Sequence, residues 1–216
     1  VTEEFSFAGL TVVRMVLGSF QVNTYLVVEN EGRSAFLIDP ALPDPDIIKK
    51  IKEYKVEKTT IFLTHGHADH ILGVDFCRRE CGAEVWCSAE DARMVVDPGL
   101  NLSALLGENF VIQKPDKTIV HEQKVCLGKH AAQVIALPGH TPGGLALCFD
   151  SLVFSGDALF AGSIGRSDFP GGDGHLLVRM IRERLLTLSD RTVFPGHGPE
   201  TTIAAEKAEN PFFSDD

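Results

Sequence analysis

Three imidazoles and one carboxylate fall within six consecutive positions: His65, His67, Asp69 and His70 of the run THGHADH at 64–70. Neutral imidazole and carboxylate are the donors that Zn²⁺, Fe²⁺ and Mn²⁺ favour. The whole chain has eight histidines, so three within six positions is a poor fit to a chance polar loop. In a turn, His65 and His67 can aim at one point while Asp69 and His70 aim at another. Four such side chains suit two cations better than one. Gly66 and Ala68 between them are small, which lets the turn tighten and keeps the space open.

Three more candidates lie downstream: His140 in PGHTPG, Asp157 at the end of VFSGD, and His197 in PGHG. Proline and glycine flanks mark fixed turns, so these imidazoles are held rather than mobile. A carboxylate at the end of an apolar strand is presented from a rigid element. Singly, each has an ordinary structural reading, a loop histidine or a capping or ion-paired aspartate. Together with 65–70 they repeat one design of apolar strand, turn and metal-type ligand. His121, His130 and His175 sit in polar surroundings and read as surface residues.

Rigid elements must present these groups. Leu10–Leu17 alternates in the manner of a half-buried strand, and Thr24–Val28 and Ala35–Ile38 are short β-branched or aromatic runs. Helical spacing follows over Asp46–Tyr54, and Thr60–Leu63 is a continuous apolar run of the kind buried on both faces. A helix is expected from near His70 or Leu72 towards Cys81, then a strand over Glu84–Cys87 and a helix start at Ser88. Residues 94–118 hold Pro98, Gly99, Gly107 and Pro115 and read as a long surface excursion that shapes a cleft. Strands return at Gln133–Leu137, Leu145–Phe149 and Leu152–Phe154, followed by a glycine-rich stretch at 156–174. An amphipathic helix is expected over His175–Leu188, a strand over Thr192–Phe194, and a terminal helix over Thr201–Glu209 capped by Thr201 or Thr202. No low-complexity linker divides the chain, so 1–216 reads as one α/β domain of two similar halves.

Composition narrows the partners. Thirty acidic against 20 basic residues give a net charge of −10, which repels phosphate backbones and points to a small-molecule substrate rather than nucleic acid. Apolar residues at 44% and charged ones at 23% exclude a disordered chain, a collagen and a coiled coil. No apolar run approaches the ~20 residues of a spanning helix, so no membrane partner is expected. No basic segment followed by an apolar run marks an export signal. Five cysteines, at 77, 81, 87, 126 and 148, form no CxxC pair. They are expected as free, mostly buried thiols of a reducing compartment, the cytoplasm.

The order HxHxDH at 65–70, His140 some 70 residues on, Asp157 another 17 on and His197 another 40 on resembles the metallo-β-lactamase-fold hydrolases. The likeness runs from NTYLV at 23–27 and IDP at 38–40 to PGHG. The segment GDALFAGSIGRSDFPGG at 156–172 is similar to the glyoxalase II-like branch, the hydroxyacylglutathione hydrolases, and especially its short bacterial members. This resemblance implies a four-layer αβ/βα sandwich with two divalent metal ions, zinc first and iron or manganese as alternatives. His65, His67 and His140 would hold one ion, Asp69, His70 and His197 the other, and Asp157 would bridge them.

The implied activity is hydrolysis of a thioester, an S-lactoylglutathione-like hydroxyacyl thiol, by a metal-bound hydroxide. Two cations bring four positive charges and two aspartates remove two, which favours hydroxide at neutral pH. Asp69 would orient the water and handle its proton. Arg166 is a candidate contact for an anionic substrate, with an ion pair to Asp168 or Asp173 as its structural alternative. Long members of the family carry a helical extension with basic residues for glutathione. Here about twenty residues follow His197, and Lys207 is the base among them, so glutathione recognition is a separate expectation from thioester hydrolysis. Two rival activities share the fold: a mono-iron persulfide dioxygenase, which uses only two histidines and one aspartate, and another hydrolase such as a lactonase.

Overall fold

A computed structural model describes residues 1–214. Seven strands form the first sheet in chain order: β1 (Thr2–Phe7), β2 (Leu10–Leu17), β3 (Val22–Glu29), β4 (Ser34–Ile38), β5 (Lys58–Phe62), β6 (Glu84–Cys87) and β7 (Lys117–Thr118). β1 to β4 pair antiparallel through hairpins, whereas β4 to β7 are parallel. The first two parallel crossovers are made by helix α1 (Pro45–Glu53) and by α2 (Ala68–Ile71) with α3 (Val74–Cys81), and the third, from β6 to β7, by residues 88–116. The second sheet contains β8 (Lys124–Leu127), β9 (His130–Ala136), β10 (Leu145–Cys148), β11 (Leu152–Gly156), β14 (Thr192–Pro195) and β15 (Thr201–Thr202), in the order β15-β14-β11-β10-β9-β8. A small hairpin, β12 (Leu159–Phe160) and β13 (Ser163–Ile164), precedes α4 (Gly174–Met180); α5 (Ile203–Glu209) follows β15.

The period-2 alternation of side chains on a strand sorts the apolar residues into layers. From β3, Leu26 and Val28 turn outward to Ile47, Ile51, Val74 and Cys77 of the helices, while Tyr25 and Val27 turn inward. From β10 and β11, Leu147 and Phe154 turn inward, while Ala146 and Val153 turn outward to Leu177, Ile181 and Leu185. The result is a four-layer αβ/βα sandwich. Both faces of the central strands are covered, which is why they read as nearly unbroken apolar runs. Where the sheets meet, Phe154 and Phe194 stack at 5.4 Å and Tyr25 packs edge-on against both.

Several expected elements differ. The helix expected towards Cys81 is two pieces, because Gly73 lies hard against the Pro40 and Leu42 carbonyls, where no Cβ fits. No helix starts at Ser88. Residues 89–96 form successive turns that mix three-residue hydrogen bonds, such as Met94 N–H to Asp91 C=O, with four-residue ones, such as Ala92 N–H to Ser88 C=O, and the Asp91 carboxylate faces inward. The helix expected over His175–Leu188 is α-helical to Met180 and widens to a π-helix over Ile181–Leu185. It buries Leu185 and Leu186 side by side, a wider stripe than a 3.6-residue period gives. The excursion at 94–118 contains a 3₁₀ turn at Ser103–Leu106 and ends in β7. α5 begins at Ile203, with Thr202 as its cap. β1 and β8 were not anticipated; both are edge strands whose exposed faces are polar.

Candidate metal centre

Every expected ligand lies just beyond the C-terminal end of a strand, in the turn or short helix that follows it, at one edge of the sandwich. β5 leads into His65 and His67; α2 carries Asp69 and His70. The turn between β9 and β10 carries His140, the turn after β11 carries Asp157, and the turn after β14 carries His197. The fold brings all seven groups together. Ligand atoms of His65, His67 and His140 lie within 4.8 Å of one another, as do those of Asp69, His70 and His197. Asp157 stands between the trios: its carboxylate is 3.7 Å from His140 Nε2 and 3.4 Å from both His70 Nε2 and His197 Nε2.

Close approach of backbone makes this convergence possible. A Cβ on Gly66 would lie 2.9 Å from Met94 Cβ, and one on Gly196 would run into the Asp157 carboxylate and the His70 ring. The residue types therefore matter between the ligands as well as at them.

Four of the five imidazoles are fixed by an oxygen at Nδ1. His70 Nδ1 bonds Asp39 at 3.0 Å, His140 Nδ1 the Arg166 carbonyl at 2.7 Å, His197 Nδ1 the Phe20 carbonyl at 3.0 Å, and His65 Nδ1 the Thr64 hydroxyl at 3.0 Å. The Thr64 hydroxyl donates to Asp39, so it accepts from His65. A carbonyl or carboxylate partner requires N–H at Nδ1, which makes Nε2 the nitrogen turned into the site and the one a cation would take. His65 Nε2, His140 Nε2 and Asp157 Oδ1 are buried with no hydrogen-bond partner. Unpartnered buried polar atoms cost roughly 1–3 kcal/mol each, and cations bound among these groups would supply their missing partners. Five imidazole nitrogens and two carboxylates, with no thiolate among them, match a pair of borderline or hard divalent cations. The residues fit the group.

The electrostatics divide along the same line. Burial and the neighbouring imidazoles push His65 well below its ordinary pKa and His67 down to about 3. Burial works in the same direction on His70, but Asp157, Asp69 and Asp39 outweigh it and hold that ring well above the ordinary value. Against its own burial, Asp157 is held well below the usual carboxylate range by His70 and His197.

Sequence reasoning missed the residues that position these ligands. Asp39, at the end of β4, accepts from Thr64 N–H, Thr64 hydroxyl and His70; it also lies within reach of His65 and His70 as a third possible ligand group. These donors mark it as an orienting group rather than a ligand. Asp91 is the second. It accepts from Gly66 N–H, Gly143 N–H and the Thr141 hydroxyl, tying the loop of His65 and His67 to the loop of His140. Asn23 is the third, donating to the Pro195 and Gly198 carbonyls that flank His197. The signals for Asp39 and Asn23 were present in the segments IDP and NTYLV, without a role attached; Asp91 gave none.

The site opens into a cleft of about 500 Å³ lined by both halves and by Asn101, Leu102, Leu105 and Leu106 of the 94–118 excursion. Arg166 stands on its wall with its guanidinium bidentate on Asp168, both bonds 2.7 Å, and stacked over Phe169. No helix of the described residues is long and apolar enough to cross a membrane, and all five cysteines are unpaired.

Known proteins place this arrangement. The chain is 35% identical to a probable metallo-hydrolase of Bacillus subtilis, over 93% of this chain and 96% of that one. It is 34% identical to the hydroxyacylglutathione hydrolase GloC of Haemophilus influenzae, over 91% and 94%. Among solved structures, the BLEG-1 B3 metallo-beta-lactamase superposes with a TM-score of 0.88 at 34% identity, covering 94% of this chain and 99% of that one. TTHA1623, crystallised in a di-iron-bound form, gives 0.78 at 35% identity, covering 92% and 98%. The sequence model of the metallo-beta-lactamase superfamily matches residues 17–197. With the fold, the edge position of the site and its histidine-aspartate donors in agreement, this chain belongs to the metallo-beta-lactamase superfamily and is a metal-dependent hydrolase of that superfamily.

Proposed function

We propose that the protein hydrolyses thioesters, of which an S-lactoylglutathione-like hydroxyacyl thiol is the reference substrate, with two divalent cations held by the seven residues. The observation that carries this reading is the pair of ligand trios sharing Asp157 and opening onto one cleft. The name of the Haemophilus relative supports the substrate class. Zinc is the first expectation; the di-iron form of a structural neighbour supports iron as an alternative. Five free thiols support a reducing compartment such as the cytoplasm.

His65, His67 and His140 would hold one ion and Asp69, His70 and His197 the other, with Asp157 between them. Bound there, the ions supply Lewis acidity for the substrate carbonyl oxygen and lower the pKa of water to about 7. The rest is the work of the chain. Asp69 lines the cleft and is about a quarter exposed (24%), so one of its oxygens can serve as ligand while the other orients the attacking water and takes its proton. The Asp39 and Thr64 bonds fix His70 and His65 in position, so the geometry is set before substrate arrives. Water oxygen bonds to the acyl carbon, the C–S bond breaks, and the thiolate leaves with the electron pair. A thiol has a pKa of about 8.5, so departure needs little acid catalysis. Arg166 lines the cleft already ion-paired to Asp168, so as a proposed substrate contact it would meet an uncharged part of the substrate.

Measuring S-lactoylglutathione hydrolysis and metal content, with O₂ uptake followed on added glutathione persulfide, tests the reading. About two metals per chain, thioester cleavage and no O₂ uptake are expected. One iron per chain with O₂ consumption would instead make the protein a persulfide dioxygenase. A β-lactam ring presents the same acyl carbon, and the B3 neighbour makes it the competing substrate; a β-lactam opened faster than any thioester overturns the proposal.

A further inference from the structure

We infer that the cleft selects thioesters with an uncharged apolar acyl arm several carbons long, and gains nothing from the carboxylates of glutathione. This rests on the thioester reading and names its substrate class. Large apolar side chains surround the mouth: Leu105 is 69% exposed, Leu106 57% and Phe20 53%. Leu102, Phe160 and Ile164 continue the apolar wall down towards the ligands. Exposed apolar side chains grouped around a concavity mark a binding surface for an apolar ligand.

The wall is built rather than incidental. Leu102 is held in the left-handed region at φ 71°, unfavourable for a residue with a Cβ. It is held there by Asn101, fully buried beneath it. The Asn101 side chain donates to the Phe110 carbonyl and accepts from Ser103 N–H, and its own carbonyl accepts from Ala68 N–H beside the ligands. The excursion is thus locked to the metal loop and presents its leucines to whatever binds there. Charge points the same way. Among the described residues lining the cleft, Arg166 is the one Lys or Arg, and Asp168 already neutralises it through two hydrogen bonds. A ligand carboxylate would have to displace Asp168 to gain a partner.

The test measures kcat/KM of the metal-loaded protein on straight-chain acyl thioesters, acetyl to octanoyl, of the uncharged thiol N-acetylcysteamine. The same acyl groups are then placed on glutathione. Each added methylene is expected to raise kcat/KM about two- to fourfold until the cleft is full, and moving an acyl group to glutathione is expected to give no gain. The double variant Leu105→Ser, Leu106→Ser, at exposed positions where a melting curve checks the fold, should lower the octanoyl-to-acetyl ratio about tenfold. A flat series, or a tenfold gain on glutathione, overturns this inference while leaving thioester hydrolysis standing. If no thioester is cleaved, the proposed function fails, and the cleft is judged by calorimetric binding of straight-chain methyl ketones. Affinity rising with length and a negative heat-capacity change support an apolar site; affinity independent of length rejects it.

Discussion

The two ligand trios flank one carboxylate, Asp157, but differ in environment. His65, His67 and His140 are all buried, carry no carboxylate of their own, and include two imidazoles held neutral by burial. In the other trio, Asp69 and His197 reach solvent at 24% and 29% exposure, and nearby carboxylates raise His70 and His197. The inner trio is a neutral pocket waiting for positive charge. The outer trio already concentrates negative charge at the cleft. With one ion in each trio, as proposed, the inner would be suited to retain its ion and the outer to exchange ligands on it, because ligand exchange needs an open, solvent-facing position.

The largest effect is expected where the trios meet. Asp157→Ala should lower turnover by on the order of 10³-fold, more than loss of an orienting partner costs, and metal analysis should show both ions weakened. A variant that retains two metals per chain breaks the claim that one carboxylate serves both trios. Asp69→Asn acts on the outer trio alone; it should keep the fold and lose roughly 10²-fold in kcat, and unchanged activity contradicts its assigned role. Orienting partners come next, at about 10–100-fold in metal affinity or activity. Asp39→Ala should weaken the step assigned to His70, whereas Asp91→Asn should weaken the step assigned to the inner trio. Stepwise metal titration that finds both variants weakening the same step removes the distinction.

The smallest effect is a stability difference in metal-free protein. His67, with its folded pKa of about 3, takes up its proton in the unfolded chain first. Its contribution is present above pH 6.5 and lost as pH falls from 6.5 towards 3. Between pH 7 and 5 that is about 2 kcal/mol, so His67→Gln should gain about that much relative to wild type on acidification, by urea unfolding. His197 has a raised pKa; its contribution is present below pH 6.5 and lost as pH rises through the folded value. His197→Gln should therefore change in the opposite sense, and equal signs would erase the electrostatic contrast between the trios.

Much of the site was legible because its ligands are rare residue types in turn contexts. HxHxDH is dense enough to stand alone, and His140, Asp157 and His197 each follow an apolar run with glycine nearby. The strands were readable wherever both faces are buried. Their ends were not, nor were the edge strand β1 and the turns after Ser88, where side-chain bonds replace periodicity. Asp91 illustrates the limit. It lies in an unremarkable SAEDAR segment, yet three donors from two distant loops converge on it.

Residue type and local pattern fixed the donor chemistry, the number of candidate ligands and the strand-turn design, because these depend on short-range spacing. Tertiary structure alone decided which nitrogen of each ring faces the site, which carboxylate lies between the trios, and that an apolar excursion 35 residues downstream of the ligand run walls the cleft (Leu105 after His70). Those outcomes depend on contacts across the chain, such as His197 with Phe20 and His140 with Arg166, and such contacts exist only after the two sheets have packed.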